Sequence, residues 1–225
     1  MDNLKMKVLD ILYPNVCDCC GVRIPFNQRI CVECEKSLHE LEISAEQWQK
    51  GKNVPWDGLV TAYSYEGTAK KGVIALKRGR RGFLQVAADK LADTAKNSLP
   101  IAECDVITYV PMVRLRRRMQ GYGHTELLAN AIGKRLSLPV RGKYLKEMFV
   151  GKFRQHDLSA QDRKIYAQRF VRTSASVEGK TILLCDDILT TGSTLMYCTS
   201  LLKKTGAKRV YVLTITCRIR ENGDT

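Results

Sequence analysis

No apolar run in this sequence approaches the length that a membrane span needs. Charges also interrupt the N-terminal MDNLKMKVLDILYP, where a signal peptide requires an unbroken apolar stretch, so a cytoplasmic protein is expected. Internal repeats and low-complexity tracts are absent, which removes repeat arrays and long disordered segments from consideration. Two common phosphate motifs are missing as well. There is no GxxxxGK[ST] segment, and Gly121 and Gly123 form a GxG that lacks the third glycine of a dinucleotide site. Acidic residues are in short supply, 23 Asp and Glu against 37 Lys and Arg, for a formal net charge of +14. That imbalance points to polyanionic partners, nucleic acid or phosphorylated metabolites, without choosing between them.

The 225 residues, 44% of them hydrophobic and 27% charged, can bury a sizeable core. Residues 1–56 read as an N-terminal helix and a cysteine module, and residues 57–225 as a second domain. Leu4, Val8, Ile11 and Leu12 follow helical spacing, and a helical stretch from Lys36 to Lys50 stops at Gly51. From Gly58 onward, strand and helix signals alternate, which is how a parallel sheet with covering helices reads. The predicted strands are Leu59 to Tyr65, Val106 to Val110, Tyr144 to Val150, Thr181 to Cys185 and Val210 to Cys217. Helices are predicted at Thr68 to Lys77, Phe83 to Lys96, Thr125 to Leu136, Ser159 to Gln168 and Ser193 to Thr205.

Five of the nine cysteines crowd between Cys17 and Cys34. Cys17-x-x-Cys20 and Cys31-x-x-Cys34 are separated by ten residues, a spacing that lets four thiolates converge on one Zn2+ as a small treble-clef or ribbon-like knuckle. Gly21 suits the tight turn after the first pair. In a cytoplasmic chain this pairing favours metal over disulfides or a redox motif. Four thiolates leave no open coordination position, so the site reads as structural. Cys19 and His39 are the alternative ligands nearby.

In TILLCDDILTTGST, residues 181 to 194, an apolar strand runs into two adjacent carboxylates, Asp186 and Asp187, and then a loop of Thr, Gly and Ser that opens a helix. Open α/β sheets bind ligands beyond the carboxyl ends of their strands, and helix starts offer unpaired N–H groups to anions. Gly192 allows the backbone to approach a phosphate, and the hydroxyls of Thr190, Thr191, Ser193 and Thr194 can donate to its oxygens. Carboxylates repel phosphate but suit ribose hydroxyls and an associated cation. The combination reads as a site for a sugar phosphate of the 5-phosphoribosyl-1-pyrophosphate (PRPP) type.

DDILTTGST resembles the ribose phosphate signature of type I phosphoribosyltransferases, and with the cysteine knuckle ahead of it the chain resembles the ComF family, the competence protein ComFC and GntX group. Further family-like blocks are ALKRGRRG at 75–82, VPMVRLRRRMQGYGHTELLA at 110–129 and RQHDLSAQDR at 154–163. The resemblance implies an α/β type I phosphoribosyltransferase fold, a parallel sheet of about five strands flanked by helices, with a small N-terminal module of four zinc-binding cysteines. It implies that the loop after Val110 handles pyrophosphate and that Gln155 to Arg163 lie in or beside the family's mobile loop. Arg118 matches the arginine before the family's RGFNQ-like segment, which here reads QGYGH.

Two functions fit these residues. As a phosphoribosyltransferase, the chain would displace pyrophosphate from ribose C1. Asp186 and Asp187 would then hold the ribose hydroxyls, Arg116, Arg118 and Lys77 would neutralise pyrophosphate with Mg2+, and Gln155 would be a further substrate-binding residue. As a competence protein, it would bind PRPP while its basic surface holds single-stranded DNA during uptake, alongside a DNA-uptake helicase partner. The clusters Lys77 to Arg81 and Arg114 to Arg118 are the expected DNA surface, with Phe83 and Tyr122 placed to stack on unpaired bases. His124 and His156 are candidates for a base by chemistry alone, and surface or structural roles are the more common ones for such histidines.

Overall fold

The computed structural model describes residues 14–112, 117–118, 121–147, 171–173 and 176–219. Helices α1 (Val32–Glu40) and α2 (Glu46–Gln49) precede β1 (Gly58–Ser64). There follow α3 (Gly67–Lys77), α4 (Gly82–Ser98), β2 (Val106–Tyr109) and α5 (His124–Leu136). Next come β3 (Leu145–Glu147), β4 (Val171–Thr173), β5 (Thr181–Leu189), α6 (Ser193–Lys204) and β6 (Arg209–Cys217).

Among the described residues, four strands form one parallel sheet in the order β1-β6-β5-β2, and β3 pairs antiparallel with β4 in a separate ribbon. The strand predicted at Tyr144 to Val150 does not join the parallel sheet: its described part is β3 of the antiparallel ribbon, and beside β2 there is an isolated parallel bridge from Ile107 to Val140. Strict alternation along β5 and β6 explains how both faces are covered. Leu183, Cys185, Tyr211, Leu213 and Ile215 pack toward α3, α4 and α5, whereas Ile182, Leu184, Val210 and Val212 pack toward α6 and the 45–56 segment. Cys17, Ile24, Ile30, Cys34 and Leu38 of the cysteine module join the first of these clusters. There Asp18 accepts from the Phe83 amide at 2.9 Å, capping α4 from 65 residues away.

Three expectations need correction. The helix predicted over 36–50 is two helices, because residues 41–42 leave it to meet β1. The Leu41 carbonyl accepts from the Ser64 amide at 2.8 Å, and Glu42 bridges to Tyr63. The first of these helices also begins earlier, at Val32, where the Cys31 sulfur accepts from the Cys34 amide. Strand β5 does not stop at Cys185 but runs to Leu189, held by register with Thr214, Thr216 and Cys217 of β6. The N-terminal helix predicted around Leu4 to Leu12 and the helix predicted from Ser159 to Gln168 lie outside the described residues. No helix among the described residues is long and apolar enough to cross a membrane.

Candidate functional site

The loop that follows β5 turns directly into α6. Gly192 caps α6 with φ 77°, a left-handed conformation suited to glycine, and its carbonyl accepts from the Met196 amide at 2.8 Å. Thr190, Thr191 and Thr194 are exposed and Ser193 is half-buried, so all four residues border solvent. Thr191 Oγ1 lies 3.0 Å from Ser193 Oγ and accepts weakly from the Ser193 amide at 3.4 Å. The first turn of the 12-residue α6 carries no acidic side chain to compete with a bound anion.

Because β5 continues past residue 185, its pleat sends the two carboxylates to opposite faces. Asp187 follows Leu183 and Cys185 toward α3 and α5, where its Oδ2 lies 2.8 Å from Lys77 Nζ and 3.1 Å from His124 Nε2. Burial opposes ionisation of Asp187, but the hydrogen bond to His124 and the charge of Lys77 outweigh it and hold the carboxyl well below the usual range. Asp186 follows Ile182 and Leu184 toward the α6 side. Its carboxyl is pushed well above the usual range by burial and by the neighbouring Asp187 charge. The pair therefore divides into a fixed carboxylate that ties three elements together and a second carboxyl that resists ionisation in the free protein.

Neither Lys77 nor His124 announced this arrangement in the sequence. Lys77 ends α3 and His124 begins α5. The two helix ends are further joined by Tyr122, whose hydroxyl donates to the Lys77 carbonyl at 3.2 Å. His124 is 7% exposed, which makes it a buried partner of Asp187 rather than a surface residue. Phe83 is fully buried, with its ring centroid 6.4 Å from that of Tyr63, so it cannot stack on unpaired bases. Arg78, Arg80, Arg81, Arg117 and Arg118 are exposed, and Arg117 pairs with Glu126 at 2.7 Å. Arg114, Arg116, Gln155 and His156 lie outside the described residues.

In the cysteine module, the sulfurs of Cys17, Cys20, Cys31 and Cys34 all lie within 4.8 Å of one another, and those of Cys20 and Cys31 are 3.6 Å apart. Tetrahedral thiolates with Zn–S bonds of about 2.3 Å stand about 3.8 Å apart, so the four sulfurs fit such an ion. Burial opposes ionisation of Cys17, yet the backbone amides of Cys31, Cys20 and Cys19 bring its thiol down to about 7. Cys19 is buried outside this group, and the His39 ring turns instead to Glu42 at 2.9 Å.

Comparison with known proteins agrees with this architecture. The phosphoribosyl transferase domain family matches residues 126–222, a stretch that contains most of α5 and all of β5, the loop, α6 and β6. DNA utilization protein YhgH of Escherichia coli is 25% identical over 201 residues, 88% of each chain. Competence protein F of Haemophilus influenzae is 28% identical over 121 residues, 52% of each. The four-cysteine cluster, the transferase domain match and the names of these relatives point the same way.

The chain fits the ComF family.

The chain has the type I phosphoribosyltransferase fold with an N-terminal cysteine module. Among solved structures it is similar to the glutamine PRPP amidotransferase of B. subtilis, at 22% identity and a TM-score of 0.40 over 64% of this chain. The match covers 27% of that longer chain.

Proposed function

We propose that this protein binds PRPP or a closely related sugar phosphate with Mg2+, and acts in DNA uptake by holding single-stranded DNA on its basic surface. The observation that carries the reading is the loop after β5, where a left-handed glycine, four solvent-bordering hydroxyl residues and a helix start meet beside a carboxyl pair. Thr190 to Thr194 take the 5-phosphate. Asp186 takes the ribose hydroxyls and the associated Mg2+, becoming ionised as the cation arrives. Asp187 holds Lys77 and His124 at the rim, and Arg116, Arg118 and Gln155 serve the pyrophosphate.

The cysteine cluster is assigned to structural Zn2+. Its donor set is closed, and it lies against the N-terminus of α4 rather than at the loop. A role in competence is supported by the names of the relatives, DNA utilization protein and competence protein. Arg78, Arg80, Arg81, Arg117 and Arg118 supply the exposed positive charge for a DNA backbone.

An alternative supported by the phosphoribosyl transferase match is an active transferase of nucleobase or amine metabolism. In that case PRPP would lose pyrophosphate to an acceptor through a transition state with oxocarbenium character. Calorimetry with PRPP and Mg2+, paired with a pyrophosphate release assay over a panel of acceptors, separates the cases. Release with one acceptor assigns a transferase, and binding without release assigns a carrier or sensor. Absence of binding at millimolar PRPP removes the site.

A further inference from the structure

The segment that leads from the cysteine module to β1 lies directly on the phosphate loop. Trp48 of α2 is 2% exposed, and its indole Nε1 donates to the Thr190 carbonyl at 3.0 Å. Its ring covers Gly192 so closely that a Cβ at that position would come within 2.6 Å of Trp48 Cη2. The indole is itself held from other sides. The Trp56 ring centroid lies 5.8 Å away, the Lys52 ammonium sits 3.7 Å from the ring centroid, and Trp56 Nε1 donates to Gln49 Oε1 at 2.9 Å.

This contact has a directional consequence for the backbone. Peptide bonds among the described residues are all trans, so a carbonyl and the N–H that follows it point opposite ways. A Thr190 carbonyl fastened to Trp48 therefore turns the Thr191 N–H away from the indole. Contact between the ring and Gly192 holds the next residue in its left-handed turn.

We propose that Trp48 is a positioning residue for the phosphate loop: it pins the Thr190–Thr191 peptide and the Gly192 turn in the form that receives the 5-phosphate of a ribose ligand. The inference rests on the sugar phosphate reading of the loop and adds a residue from outside the matched transferase domain. Preorganisation of this kind matters because amides aimed beforehand need no reordering when the anion arrives.

The probe is ribose 5-phosphate, which tests the phosphate loop without the pyrophosphate half. Trp48→Phe keeps a ring over Gly192 and deletes the N–H, and is expected to bind ribose 5-phosphate about five-fold more weakly, the worth of one net hydrogen bond. Trp56→Phe, which alters a neighbour whose N–H goes to Gln49 instead of Thr190, is expected to bind like the wild type. A merely structural role predicts a lowered melting temperature in Trp48→Phe with unchanged affinity, and that result overturns the proposal. Should Trp48→Phe fail to fold, the Trp56→Phe protein decides, because Trp48 is then the single indole of a chain that has two. Its emission is expected to change as ribose 5-phosphate saturates the site, and constant emission with calorimetric binding refutes the role. If the wild type binds neither ribose 5-phosphate nor PRPP, the reading of the loop itself falls. If it binds and Trp48→Phe binds equally well, only the positioning role falls.

Discussion

Replacing Asp186 with Asn is expected to stabilise the ligand-free protein while weakening its hold on PRPP. Asp186 carries a carboxyl that burial and the Asp187 charge both disfavour in its ionised form. Among the described residues, its Oδ1 accepts from the Asp187 amide at 2.9 Å, a bond that an Asn oxygen can keep. The substitution therefore removes a strained charge without orphaning a donor. Relief of a functional-site strain of this kind is worth about 0.5–2 kcal/mol. In a chain of this length 1 kcal/mol moves the melting temperature by about 2–4 °C, so a rise of about 1–8 °C is expected at neutral pH. The pH dependence is diagnostic. A carboxyl whose folded pKa is raised favours the fold fully below its unfolded value, about 3.9, and that contribution is lost as pH rises through the folded pKa. The stability difference between variant and wild type is thus smallest near pH 4 and widens as pH increases. Scanning calorimetry between pH 4 and 8, with a parallel PRPP titration, measures both halves. A melting temperature that falls at pH 7, or a difference that does not change with pH, refutes the reasoning.

Removing the other carboxylate has the opposite effect on stability. Asp187→Ala removes the buried carboxylate that faces Lys77 and His124 and is expected to cost about 3–5 kcal/mol in urea unfolding, a value under about 1 kcal/mol arguing against the ionic tie. With a depressed folded pKa, Asp187 contributes stability above about pH 3.9 that is lost as pH falls further. Asp187→Asn is accordingly expected to flatten the acid limb of a stability profile below about pH 4. Cys20→Ser is expected to lower bound zinc from one equivalent to less than half, measured by metal analysis of reduced protein, and full retention excludes the four-thiolate site. At Gly82 a Cβ would overlap the Arg29 carbonyl oxygen, so Gly82→Ala is expected to cost about 1–3 kcal/mol and to speed limited proteolysis of the cysteine module, whereas an unchanged digestion rate argues against docking there.

Features governed by local pattern were legible in the sequence. The alternation in TILLCDD and in VYVLTITC reports two buried faces, the CxxC pairs report their own convergence, and TTGST reports a loop opening a helix. What escaped depends on contacts far apart in the chain. Asp residues are poor strand formers, so the expected strand ended before Asp186, yet pairing with β6 carries β5 four residues further. The grouping of Lys77, His124 and Asp187 joins three distant parts of the chain, and no spacing rule links their positions. The break in the 36–50 helix follows from an edge bond to β1 that helix periodicity cannot register. Trp48 reads locally as an apolar residue on a short helix, and its role emerges only when the loop after β5 is brought beneath it.

These long-range contacts change what the cysteine module is for. Its residues cap α4 through Asp18, and Arg29 pairs with Asp89, which in turn pairs with Arg135 of α5. Beyond α1 the chain runs along the end of β1, where Glu42 pairs with Lys90 of α4, and then delivers Trp48 to the loop after β5. The module thus touches the helices that cover one face of the sheet, and the segment after it reaches the loop on the other. A thiolate cluster closed by zinc gains its folding free energy from the metal, since four converging sulfurs have little reason to stay together without it. Where such a cluster also caps a helix and supports a salt-bridge chain, losing the metal removes those contacts together. Under the proposed assignment, zinc held by the four cysteines would therefore support the loop after β5 through packing, without lending it a side chain.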